Sequence, residues 1–82
     1  MALYFLEYDL RKQRNYQNLY DELKKFGAIR ILESSWCFNR LNTNCAGLRD
    51  YFSSFIDTDD GLYILEISDW ATRNTLSTPK NL

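Results

Sequence analysis

Leu3-Tyr4-Phe5-Leu6-Glu7-Tyr8-Asp9-Leu10 has the alternation of an extended chain. Side chains in a strand point to opposite faces at successive positions. Tyr4, Leu6 and Tyr8 therefore share one face, while Leu3 and Phe5 occupy the other ahead of Glu7 and Asp9. Apolar residues on both faces are the mark of a central strand. The remainder of an 82-residue chain has to be arranged around it.

Downstream, Leu10 to Asn15 is polar and basic and reads as a loop into a helix. Asn15 is a good N-cap, and Tyr16, Leu19, Tyr20, Leu23 and Phe26 form one helical stripe. Lys24 and Lys25 suit the negative end of the helix dipole, and Gly27 supplies the stop. Ala28 to Glu33 sets Ile29 and Ile31 against Arg30, a half-buried strand with a wet side. Ser34-Ser35 makes a short break, and Trp36 to Leu41 resumes an extended pattern with Trp36, Phe38 and Arg40 on one side. Asn42-Thr43-Asn44 is a turn and cap cluster ahead of a second helix carrying Leu48, Tyr51, Phe52, Phe55 and Ile56. Asp57 to Gly61 is a polar turn, and Leu62 to Ile67 is the last strand.

The order strand, helix, strand, strand, helix, strand predicts an α+β fold. With right-handed crossovers it is a ferredoxin-like βαββαβ sandwich, a four-stranded antiparallel sheet with both helices on one face. This domain covers residues 1–68, and 69–82 form a polar tail whose apolar content is Trp70 and Leu76. Two helices cannot cover both sides of four strands, yet Leu62 and Ile64 alternate with Tyr63, Leu65 and Ile67. An uncovered apolar sheet face usually means association. The expectation is a homodimer packed through its sheets, with the tail either frayed or adding a strand to the neighbour.

Composition narrows the function classes. The chain is 45% hydrophobic and 26% charged, which excludes a disordered tail or low-complexity linker. No apolar run reaches the roughly 18 residues of a membrane span, and no secretory leader is visible, so no membrane partner and a cytoplasmic location are expected. With no histidine, Ser-His-Asp and Cys-His nucleophiles and imidazole metal ligands are excluded. Cys37 and Cys45 have no zinc partners and read as buried or idle thiols. The net charge is −1 but unevenly spread. Six cations face two carboxylates between Arg11 and Arg30, and one cation faces six carboxylates between Arg49 and Asp69. A basic first half suits phosphate even in a near-neutral protein, and ordinary solvated helix charges explain it equally well.

Asp9 stands out among the candidate chemical groups. It ends the first strand beside Arg11, Lys12 and Arg14, so a carboxylate suited to Mg²⁺ adjoins cations suited to a phosphodiester. One carboxylate is a poor metal site, but two Asp9 side chains meeting in a symmetric dimer would share an ion. The alternative is that Asp9 caps the next turn or pairs with a local arginine. Asp57, Asp59, Asp60 and Gly61 look like the opening of a calcium loop but lack its alternate ligands and closing Glu, which leaves a turn. Tyr16, Tyr20, Trp36 and Phe38 fit stacking platforms for bases, or core at helical and strand spacing.

Taken together, these pieces resemble the CRISPR-associated protein two (Cas-two) family, over about residues 2 to 68. The carrying features are the strand ending Tyr8-Asp9-Leu10, the basic loop, and a helix closing on Phe26-Gly27. Arg30, Ser34 and Trp36 follow, then Phe55-Ile56-Asp57, and Asp60 before Leu62 to Ile67. The resemblance implies a ferredoxin-like homodimer with strand-end aspartates facing across the interface. Its members are described as Mg²⁺-dependent nucleases on RNA or DNA, or as non-catalytic scaffolds that hold DNA beside an integrase. Carried over by position, Asp9 is the catalytic and metal-binding residue. Arg11, Lys12, Arg14 and Arg30 approach nucleic acid, and Ser34 matches a serine between the second and third strands. Cys37 stands where a glutamate is common. The expected function is a Mg²⁺-dependent endonuclease, with two alternatives. One is a dimeric scaffold or interaction module of a CRISPR or other defence or toxin-antitoxin system. The other is a small regulator that binds another protein through its acidic second half.

Overall fold

The central strand of the chain is β1 (Ala2–Asp9), and β3 (Ser35–Arg40) and β4 (Gly61–Ile67) flank it. The structure is a computed structural model that describes residues 2–12 and 15–82. β2 (Ile29–Leu32) adds to the far side of β3, so the sheet runs β2-β3-β1-β4, and every neighbouring pair is antiparallel. Two helices, α1 (Gln17–Lys25) and α2 (Cys45–Ser53), complete a small α+β fold.

Alternation in β1 sorts its side chains as its sequence requires. Tyr4, Leu6 and Tyr8 are buried, and their partners Phe38 and Trp36 on β3 lie on the same face. The apolar stripes of both helices meet this face: Tyr16, Leu19 and Leu23 at α1, Leu48 and Phe52 from α2, in one continuous core. Phe26 ties the layers together, with its ring 5.3 Å from Phe38 and 5.0 Å from Phe52. Burial of large aromatic area, near 25 cal/mol per Å², is the main source of stability open to a chain this short.

The helix ends follow local chemistry. α1 starts one residue later than an Asn15 cap requires. Tyr16 occupies the cap position without a side-chain bond, while Asn15 Oδ1 accepts the Gln17 N–H at 2.8 Å. Gly27 ends the helix at φ +72°, where a side chain would be strained, and the Ala28 N–H returns to the Leu23 carbonyl at 3.0 Å. Asn44 caps α2 by accepting from the Gly47 N–H at 2.7 Å. α2 ends at Ser53, so Phe55 and Ile56 pack on the core from the following turn rather than from the helix.

One face assignment differs from the sequence reading. Arg30 pairs with Trp36, which places it on the helix side of β2, and the side expected to be wet carries an aromatic cluster. Ile31, Ser35 and Cys37 are buried although they stand outside the helix-side core.

The tail returns to its own sheet. β4 and β2 are opposite edges, and the Leu76 N–H donates to the Ile31 carbonyl of β2 at 2.8 Å, so residues 68–76 traverse the sheet's width. Pro79 is buried at the start of a single 3-10 turn, Pro79–Asn81. No described helix is long and apolar enough to cross a membrane.

Candidate functional site

The C-terminal end of β1 delivers Tyr8 and Asp9 to a rim shared with the β2–β3 turn. There a pocket of about 250 Å³ is lined by Tyr8, Asp9, Leu10, Tyr20, Arg30, Glu33 and Ser34. Three residues singled out from the sequence, Asp9, Arg30 and Ser34, come together in it from separate segments. The join is direct, because the Tyr8 N–H donates to the Ser34 carbonyl at 3.1 Å.

Arg30 is the organised cation of this pocket. Its guanidinium lies over the Tyr20 ring at 5.4 Å and the Trp36 ring at 5.3 Å. Its Nε and Nη2 donate to the Glu33 carbonyl at 2.9 and 2.6 Å, and Nη2 donates to the Tyr8 hydroxyl at 3.2 Å. The same hydroxyl accepts from Trp36 Nε1 at 3.2 Å. Among the described residues no carboxylate forms an ion pair with Arg30. Burial pushes the Tyr20 phenol above its ordinary range; Tyr8 adds to that shift and Arg30 opposes it. A planar guanidinium held between two rings with its charge unmatched by a carboxylate is suited to an anion.

Asp9 is placed differently. Its side chain is 72% exposed, and Oδ2 accepts from Arg11 Nε at 3.1 Å. This is the local arginine pairing weighed as the alternative. The Arg11 guanidinium rests in the space left by Gly61, the partner of Asp9 on β4, where a Cβ would come within 3.2 Å of Arg11 Nη2. Arg11 Nη1 also donates to the Asp59 carbonyl at 2.6 Å, and Lys12 pairs with the Asp59 carboxylate at 2.9 Å. The two described loop cations expected to meet phosphate are thus both engaged with carboxylates of their own chain. Arg14 lies outside the described residues.

The turn before β4 is a clamp. The Asp60 N–H donates to the Asp57 carbonyl at 3.0 Å, and among the described residues the Asp60 carboxylate accepts from three donors. These are the Arg11 N–H at 2.7 Å, the Tyr16 hydroxyl at 2.7 Å and the Asp57 N–H at 2.8 Å. Burial raises the Tyr16 phenol above its usual range, and the bond to Asp60 adds to the shift. Asp60 and Tyr16 hold the strand-end loop in place, a role that sequence spacing does not announce.

Asp9 offers one carboxylate, already bonded to Arg11, and no cluster of three or more acidic or cysteine ligands suited to a metal occurs among the described residues. Tyr8 and Glu33 are the pocket residues that the sequence does not mark as functional, while Tyr20 fits a stacking platform for bases or core. Tyr8 and Tyr20 were legible as core, but the meeting of the Tyr8 hydroxyl and the Tyr20 ring with Arg30 depends on the β2–β3 pairing. No protein-family model matches the chain, and no solved structure matches it either.

Proposed function

We propose that this chain is a nucleic-acid-processing protein that acts as a homodimer and holds a backbone phosphate at the Asp9, Arg30 and Ser34 pocket. The observation that carries the reading is Arg30, a cation stacked on Tyr20 and Trp36, free of ion pairs among the described residues, and sharing one pocket with Asp9 and Ser34. Phosphate oxygens match a guanidinium fork, and a hydroxyl such as that of Ser34 adds a donor. The strand order β2-β3-β1-β4, antiparallel throughout and with both helices in one core, supports a ferredoxin-like description of the fold.

Catalysis in this reading needs the second copy. Asp9 of one chain falls short of a Mg²⁺ site, so the endonuclease form of the proposal requires the Asp9 carboxylates of two chains to approach each other. Half-buried Leu3, Phe5, Leu65 and Ile67, on the sheet face away from the helix-side core, support association of that kind. Without it the same pocket serves a non-catalytic scaffold that binds RNA or DNA beside an integrase or another defence protein. Arg30, whose placement is independent of Asp9, supports this second reading.

Incubating the purified chain with single-stranded RNA and with duplex DNA, with and without Mg²⁺, separates the two. The endonuclease reading expects Mg²⁺-dependent cleavage that Asp9→Asn abolishes while the dimer persists in sedimentation. Binding that Arg30→Gln weakens, with no cleavage, leaves the scaffold. Cleavage unchanged in Asp9→Asn, or no binding of either nucleic acid, refutes the proposal.

A further inference from the structure

Arg40 ends β3 and, by alternation with Trp36 and Phe38, lies on the helix side of the sheet. Its guanidinium carbon is 3.9 Å from the centre of the Phe26 ring, a closer stack than Arg30 makes on either of its rings. Among the described residues its side-chain nitrogens form no ion pair and no hydrogen bond with the chain. One face of the cation is thus covered by a ring, and its in-plane donors are left for an acceptor from outside, the arrangement that phosphate oxygens match.

The cation borders a depression of about 440 Å³ between α1, α2 and the loop after β3. Tyr51 of α2 forms another wall and is 44% exposed. Its ring is fixed, because it packs on Phe26 at 5.7 Å and its hydroxyl donates to Glu22. That hydrogen bond also occupies the one carboxylate among the described lining residues, and Lys25 offsets its charge from 3.9 Å. Leu41 and Asn42 are exposed beside Arg40. Arg30 pairs with Trp36, and Arg40 stands further along β3 by about 13 Å at the rise of a strand, so this pocket is separate from the one at the Asp9 rim.

We propose that this pocket is a nucleotide site, in which Arg40 holds the phosphate and the base stacks on Tyr51 beside Leu41. An exposed ring with a fixed orientation is a platform for any base, and a guanidinium fork takes phosphate better than a point charge does. Ring and cation share Phe26 as a neighbour, so both lie within the reach of one nucleotide, whose sugar separates phosphate from base. Both are in place before the ligand arrives, which keeps the ordering cost of binding low. Asn42 adds an exposed amide for the sugar or the base edge. The ligand is a free nucleotide or one unit of a single strand, and the inference stands whether or not the Asp9, Arg30 and Ser34 pocket binds phosphate.

The test uses the full chain labelled with ¹⁵N and titrated with adenosine 5′-monophosphate. Saturable amide shifts are expected in residues 40–48 and at Phe26 and Tyr51, with a midpoint below about 1 mM. Adenosine, which lacks the phosphate, and ribose 5-phosphate, which lacks the base, each bind about tenfold more weakly or worse. Arg40→Gln, at an exposed position, reduces the affinity for adenosine monophosphate to that for adenosine and leaves adenosine unchanged. Tyr51→Leu does the converse, reducing it to the affinity for ribose 5-phosphate. The Arg40 variant and the two half-ligands decide the question even if Tyr51→Leu, which also loses the bond to Glu22, fails to fold. An adenylate tetranucleotide that shifts the same residues at about a tenth of the concentration makes a single strand the source, and one that binds no tighter makes it the free nucleotide. Either result keeps a nucleotide at Arg40. A half-ligand that binds as tightly as the whole, affinity unchanged in Arg40→Gln, or no saturable shift overturns the proposal. So do shifts confined to Tyr8, Glu33 and Ser34, because the phosphate then belongs to the other pocket.

Discussion

The Tyr16 hydroxyl donates to Asp60 Oδ2 at 2.7 Å across 44 residues of sequence, and this bond fixes the loop after β1 to the turn before β4. Because the same carboxylate also accepts the Arg11 and Asp57 N–H groups, an amide in its place would turn one acceptor into a donor facing donors. Asp60→Asn is expected to destabilise the fold by about 1–3 kcal/mol in urea unfolding and to speed exchange of the Arg11 amide. An unchanged urea midpoint would show that the clamp does not hold the loop.

The elements of this fold were legible because their signals are local. The β1 alternation, the Tyr16-to-Phe26 stripe, the Gly27 stop and the Asn44 cap each depend on residues within a few positions of one another. The site was legible in part. Asp9, Arg30 and Ser34 are all at the rim, but the sequence reading put Arg30 on the wet face, because alternation with Ile29 and Ile31 does not say which side the helices cover. Arg30 fits the covered side since its guanidinium can lie on Tyr20 and Trp36 while its nitrogens reach the Glu33 carbonyl. The Asp60 clamp and the return of Leu76 to Ile31 were hidden for a different reason. Both join segments more than 40 residues apart, and no periodicity encodes such a contact.

Arg30→Lys tests whether the planar group or the charge alone matters. Lysine keeps the cation but loses the fork to Glu33 and Tyr8 and the flat stack on two rings. A loss of about 1–2 kcal/mol is expected, together with a shift in Trp36 emission measured in a Trp70→Phe background. If lysine matches arginine in both stability and emission, charge alone accounts for the residue and the stacked geometry is incidental.

Asp9 is expected to be nearly silent in stability. Its pair with Arg11 is exposed on both sides, 72% and 56%, and such pairs contribute about 0–1 kcal/mol. Asp9→Asn should therefore keep the unfolding midpoint within about 0.5 kcal/mol of the parent, at low and at high salt. A large loss would mean that Asp9 is a structural residue, and any loss of nuclease activity in that variant would then report on folding instead of chemistry.

Cys37 makes the pH dependence of stability predictable in sign. It is 3% exposed, and burial pushes its thiol from 9.0 up to about 11, since the thiolate would be formed out of contact with water. The unfolded chain releases this proton first as pH rises. The contribution is fully present below about pH 9 and is lost as pH climbs towards 11. The phenols of Tyr4, Tyr16, Tyr20 and Tyr51 are also raised, but they start from 10.0 and weaken the fold at higher pH. Between pH 9 and 10 the thiol therefore supplies its own share of the decline, alongside the onset of phenol ionisation in the unfolded chain. Cys37→Ala lowers stability by a constant amount, because the small cavity it leaves does not titrate, and it should flatten the decline in urea midpoint across that interval while leaving the steeper fall above pH 10 in place. A decline between pH 9 and 10 as steep in the variant as in the parent would show that the thiol is in contact with water and that the sheet face around Ile31 and Ser35 is open.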